Sequence, residues 1–203
     1  MKLFQKILIG LFIIFTVAGT AQAVIMHDLD MDQQYRAFAN PSTGGVFTHD
    51  DDDNWYLASV VNMGNGWGLT AAHVVEDRTA YGGYFGATVY PYDDSSLIVD
   101  SFIYPDWTGE IGQGHDLALI QFADPLNDVP FSTLSTNRPS IGDYITFSGF
   151  GSPGEIGIAL EQDGYNRGWE GYITEFGYPR HLPDIYLVSK FERPIWPQSL
   201  PLG

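Results

Sequence analysis

An all-β fold in two successive units is predicted for this chain of 203 residues on three observations. Aromatic and β-branched residues recur in short runs bounded by Gly, Pro, Asn and Asp, as strands separated by turns do. No long stretch carries apolar residues at helical spacing, so no long amphipathic helix is expected. Between Ala123 and Ser140 the strand pattern lapses into a segment rich in Pro, Asn, Ser and Thr, which reads as a linker.

The elements follow in chain order. In residues 1–23, Lys2 and Lys6 precede an apolar stretch over 7–17, and Ala21-Gln22-Ala23 supplies small residues at a cleavage point. This is the pattern of a signal peptide, with Val24 as the first mature residue. The apolar stretch is shorter than the roughly 20 residues that cross a bilayer, so a signal peptide is preferred to a membrane anchor. The mature 180 residues are therefore expected to be secreted or periplasmic, with no membrane attachment after cleavage. Strands are expected over residues 55–62, 87–90, 97–104, 116–122, 144–149, 169–174 and 185–191. They group into a first unit at 24–122, including an N-terminal extension, a linker at 123–140 and a second unit at 141–203.

Composition narrows the function classes. The chain has no cysteine, so an exported fold must rest on burial without disulfides, and thiolate metal sites are excluded. A net charge of −16 repels phosphate backbones, which argues against nucleic acid as a partner. The run Asp50-Asp51-Asp52-Asp53 raises the question of a calcium loop. It lacks the alternating spacing and turn glycine of such loops and reads better as a solvated surface turn.

Two short stretches carry chemistry. In "GWGLTAAHVV", His73 ends a run that reads as buried strand, and in "GQGHDLALIQF", Asp116 stands at the mouth of the apolar run Leu117-Ala118-Leu119-Ile120. That run is expected to be a strand covered on both faces. A carboxylate there is partly desolvated and requires donors, and an imidazole can be one. A histidine whose Nδ1–H is held by a carboxylate is fixed in one tautomer, which leaves Nε2 to take a proton from a hydroxyl. Taken singly, His73 reads better as a packed core histidine and Asp116 as a turn residue capping a strand.

Together with "YITFSGFG", these stretches resemble the motifs of the trypsin and chymotrypsin family of serine proteases, in that family's order. "LTAAHVV" resembles the surroundings of its histidine and "HDLALIQF" those of its aspartate. Gly149-Phe150-Gly151 resembles the Gly-Trp-Gly that opens its second barrel. His73 and Asp116 are 43 positions apart, against about 45 in chymotrypsin.

The resemblance implies two six-stranded Greek-key β-barrels, the second incomplete, and a serine endopeptidase acting on protein or peptide substrates without a cofactor or a metal. It gives His73 the role of general base and then acid, and Asp116 that of orienting carboxylate. The family's Gly-Asp-Ser-Gly-Gly does not occur in the chain. Measured from Asp116 by the chymotrypsin spacing, its serine is expected near position 209, roughly 93 residues further on.

Ser152, Ser189 and Ser199 are poor substitutes. Ser152 is followed directly by Pro153 and lacks the glycine two positions earlier that a nucleophile elbow needs. No Ile-Val-Gly-Gly marks an activated start, and Arg36 is at most a weak processing signal. Two rival readings are a non-catalytic secreted binding module that has lost its nucleophile and an envelope-stress protease of the HtrA kind. "GFGSPG" also fits a dinucleotide fingerprint, but no helix is expected to start there.

Overall fold

The structure is a computed structural model and describes residues 32–86, 94–150, 154–155, 158–159, 163–177 and 186–189. Residues 1–23, the expected strand at 87–90, Ser152 and Ser199 lie outside the described residues. Within them, no helix is long and apolar enough to cross a membrane.

The fold is all-β. After a short helix α1 (Asp32–Ala37), six strands form a closed antiparallel barrel: β1 (Thr43–His49), β2 (Trp55–Gly64), β3 (Trp67–Thr70), β4 (Thr79–Phe85), β5 (Asp94–Ile103) and β6 (Ala118–Phe122). Around the barrel the order is β1-β2-β3-β6-β5-β4, closing back on β1. Strands β1 to β3 form a meander and β4 returns to lie beside β1, which is a Greek key. One helical turn, α2 (Ala72–Val75), connects β3 to β4.

Two of these strands, β1 and β4, escape a reading by composition because each contains a Gly-Gly pair that looks like a turn. The barrel interior explains the glycines. A Cβ on Gly44 would stand 2.6 Å from the Phe85 ring, and one on Gly83 would stand 2.5 Å from the Phe122 ring. These rings fill the barrel edge to face, 5.8 Å apart, so the glycines mark close approach and not a break in the strand. Val46, Val60, Val74, Val75, Ala118 and Ile120 complete the core around them.

Strand β6 differs from its expectation in its burial. Ala118, Ile120 and Phe122 are buried, but Leu117 and Leu119 are exposed. A barrel wall covers only its inner face, so Leu119 pairs with Leu69 and Phe102 on the outer surface.

The segment after β6 packs onto this barrel. Leu126 and Val129 join its core, and the buried Asn62 amide donates to the carbonyls of Val129 and Pro130 at 3.1 and 3.2 Å. Beyond it lies a three-stranded antiparallel sheet of order β11-β10-β7. Its members are β7 (Tyr144–Gly149), β10 (Arg167–Gly177) and β11 (Tyr186–Ser189). A two-stranded ribbon, β8 (Gly154–Glu155) with β9 (Ile158–Ala159), lies between β7 and β10 in sequence. A strand therefore follows "GFGSP" where a dinucleotide fingerprint requires a helix. Among the described residues the second barrel is incomplete.

Polar contacts join the two units. The Ser59 hydroxyl accepts from the Phe150 N–H at 2.8 Å and donates to the Phe150 carbonyl at 3.1 Å. Arg167, 2 % exposed, donates to Asp32 at 2.6 Å and to both oxygens of Asp163, tying α1 to β10. Burial works against the charge of Asp163, but the hydrogen bond from Arg167 prevails and holds its carboxyl below the usual carboxylate range. Arg36 belongs to this cluster. It pairs with Asp32, and its guanidinium lies 3.3 Å over the Tyr165 ring, so it is a held helical residue and not an exposed extended cleavage point.

Candidate active site

The barrel register brings His73 and Asp116 together. Strands β3 and β6 are antiparallel neighbours paired Thr70 to Ala118, so the chain leaving β3 and the chain entering β6 emerge at the same place. His73 lies three residues beyond Thr70 and Asp116 two before Ala118. Ala72, Val74 and Val75 bury themselves in the barrel mouth and anchor α2, which leaves His73 as its partly exposed member.

The contact has two points. His73 Nδ1 is 2.7 Å from Asp116 Oδ2, and the His73 backbone N–H donates to Asp116 Oδ1 at 2.9 Å. An ionised carboxylate only accepts, so the ring proton sits on Nδ1 and Nε2 is left with a lone pair. The second bond satisfies an N–H that the first turn of a helix otherwise leaves without a partner. Sequence reasoning anticipated the ring contact and missed the backbone one, which no residue pattern signals. With side chains 37 % and 18 % exposed, the pair has a half-open histidine and a more sheltered aspartate. Among the described residues the His73 ring makes its hydrogen bond through Nδ1, and the arrangement can accept a proton at Nε2.

Local backbone aims the carboxylate. Gly114 and His115 both have positive φ, at 80° and 61°, and the Leu117 N–H donates to the His115 carbonyl at 2.7 Å, closing a three-residue turn on Asp116. The expected strand at 116–122 therefore begins at Ala118, and Asp116 sits in the turn before it.

The other candidates do not join this site. The Asp50 carboxylate is occupied by the side chain and backbone of Asn54, the Tyr56 hydroxyl and the Asp52 N–H. Those bonds, the Asn54 side chain first, hold its pKa down at about 2, as suits a pin for the β1–β2 hairpin. Among the described residues no group of three or more His, Cys, Asp or Glu is placed to hold a metal ion. Ser189 lies in β11.

The family model for trypsin matches residues 40–166, more than half of the chain. The chain belongs to the trypsin family. Solved structures similar to this trypsin-family chain include HL collagenase, at 18% identity and a TM-score of 0.56, with 70% of this chain and 60% of that one covered. Neuropsin, a serine protease expressed in the limbic system of mouse brain, is similar at 19% identity and a TM-score of 0.53, covering 68% and 61%. A protein named GrC is similar at 14% identity and a TM-score of 0.55, covering 68% and 62%. At these identities the likeness is one of fold. The trypsin-family chain spans 60 to 62% of the length of these structures. No curated protein matches it.

Proposed function

We propose that this trypsin-family chain carries the proton-handling half of an exported serine endopeptidase. The two-point contact of Asp116 with His73 is the observation that supports this most, because it selects the tautomer with a basic Nε2. In this reading His73 takes the proton of a serine hydroxyl as that oxygen attacks a peptide carbonyl. It then returns the proton to the leaving amine, and water releases the acyl-enzyme by the same route. Asp116 orients the ring and stabilises the imidazolium. In the family this hydroxyl belongs to a Gly-Asp-Ser-Gly-Gly segment, which does not occur in these 203 residues. Substrates are proteins or peptides, and the strongly acidic chain disfavours nucleic acid. Export rests on the signal-like residues 1–23, with Val24 as the mature terminus, which mass spectrometry of the exported protein would check.

The coding DNA past Gly203 is the first test, and an in-frame Gly-Asp-Ser-Gly-Gly within a few dozen codons is expected. The enzyme carrying that segment is then treated with a fluorophosphonate probe. Labelling is expected, with peptide hydrolysis falling by about 10⁶ in His73→Ala and by about 10⁴ in Asp116→Asn. Labelling and turnover that survive His73→Ala would remove this histidine from the mechanism.

A further inference from the structure

We propose that Tyr104 and His115 are positioning residues whose stacked rings hold the turn that aims Asp116 at His73. The inference deepens the function proposed above and rests on it only in taking the His73–Asp116 pair to be the working one.

The β5–β6 ladder ends at the pair Ile103 and Ala118 and is prolonged by one bond, from the Tyr104 N–H to the Leu117 carbonyl at 2.8 Å. Past that bond the chain entering β6 pairs with no strand among the described residues and is shaped by its own turn. The turn requires His115 at φ 61°, a left-handed conformation that side-chain-bearing residues adopt reluctantly, although histidine tolerates it better than most. A residue held there needs support from its surroundings. The support is visible: the His115 ring lies on the Tyr104 ring, centroids 5.4 Å apart and planes within 9° of parallel. Tyr104 is a firm platform, because its N–H is bonded to Leu117 and its carbonyl accepts from the Trp107 N–H at 3.0 Å.

Asp116 is thus the middle residue of a turn fastened on one side by the ladder and on the other by the stack. Its two oxygens must meet two donors of one residue, the His73 N–H and Nδ1, and such a two-point contact tolerates little drift. Loss of the stack frees His115 to leave the left-handed region, which swings the carboxylate off the ring nitrogen first.

The experiment needs no catalysis. The proton on His73 Nδ1, shared with a carboxylate, gives a downfield proton NMR resonance protected from exchange with water, and Asp116→Asn identifies it by abolishing it. In the 203-residue chain, Tyr104→Phe is expected to keep the resonance, because the stack is kept. Tyr104→Leu is expected to speed its exchange at least tenfold while the barrel's amide spectrum stays dispersed. His115→Gly holds the backbone conformation but removes the ring, and the same acceleration is expected. If Tyr104→Leu does not fold, His115→Gly decides. Exchange in Tyr104→Leu and His115→Gly as slow as in the parent would overturn the positioning role and leave the pair intact. Absence of the resonance from the parent would overturn the pair itself.

Discussion

The first barrel and the second sheet are held by different physics. The barrel closes on itself, so each strand finds partners on both sides and its inner face seals around Phe85, Phe122, Ile120, Val46 and Val60. The sheet of β7, β10 and β11 does not close among the described residues. Of its apolar side chains Ile173 is buried, whereas Tyr144, Phe147 and Tyr172 are exposed. Among the described residues its largest fully buried side chain is a cation, Arg167, reached by carboxylates from α1 and from the loop before β10. Closure lets a sheet depend on volume, and an open sheet leaning on a neighbour depends on specific polar partners.

Substitutions that separate volume from charge sharpen that contrast. The largest effect is expected from Phe85→Ala, which empties the centre of the barrel and should cost about 4 kcal/mol in thermal unfolding. Arg167→Met comes next. It leaves Asp32 and Asp163 with Arg36 as their remaining cation and should cost about 3 kcal/mol, the low end for a broken buried pair, because both carboxylates keep some solvent and that second partner. Amide exchange should then accelerate in β7 and β10 and stay unchanged in β3 and β6. Equal acceleration in both units would mean that they unfold as one body and that the contrast is false. Gly83→Ala pushes a methyl into the Phe122 ring and should cost about 2 kcal/mol, with little response in the second sheet.

The smallest expected effect is local and set by pH. Asp50 has its pKa depressed to about 2 by its bonds to Asn54 and Tyr56, so the contribution it makes to the hairpin is complete above the ordinary carboxylate value and is lost as pH falls from about 4 through about 2. Fluorescence of Trp55, the first residue after the loop, should change over that window and stay flat in Asp50→Asn. A change above pH 5 would assign it to another group.

Much of the architecture was legible because strands announce themselves through neighbours in sequence. Residues 144–149 coincide with β7, and residues 55–62 and 97–104 fall on β2 and β5 with a shared start at Trp55 and the other ends displaced by one to three positions. β1 and β4 were not legible, since Gly-Gly resembles a turn until the rings across the barrel that require it are known. At the site, the resemblance of the stretches around His73 and Asp116 to the trypsin family's motifs pointed to a proton-transferring pair. The second bond to the His73 backbone and the turn that aims Asp116 had no signature beyond Gly114 preceding His115.

What the sequence determined by itself is what depends on adjacent residues: where chains extend, where they turn, that no disulfide can form, and which side chains can exchange a proton. The tertiary structure alone decided that β4 returns to β1 and closes the barrel, that Thr70 faces Ala118 so that His73 meets Asp116, and that a guanidinium is buried at Arg167. Each of these joins residues distant along the chain, and their meeting depends on strand register and on which faces must leave water, neither of which is carried by any short run of residues.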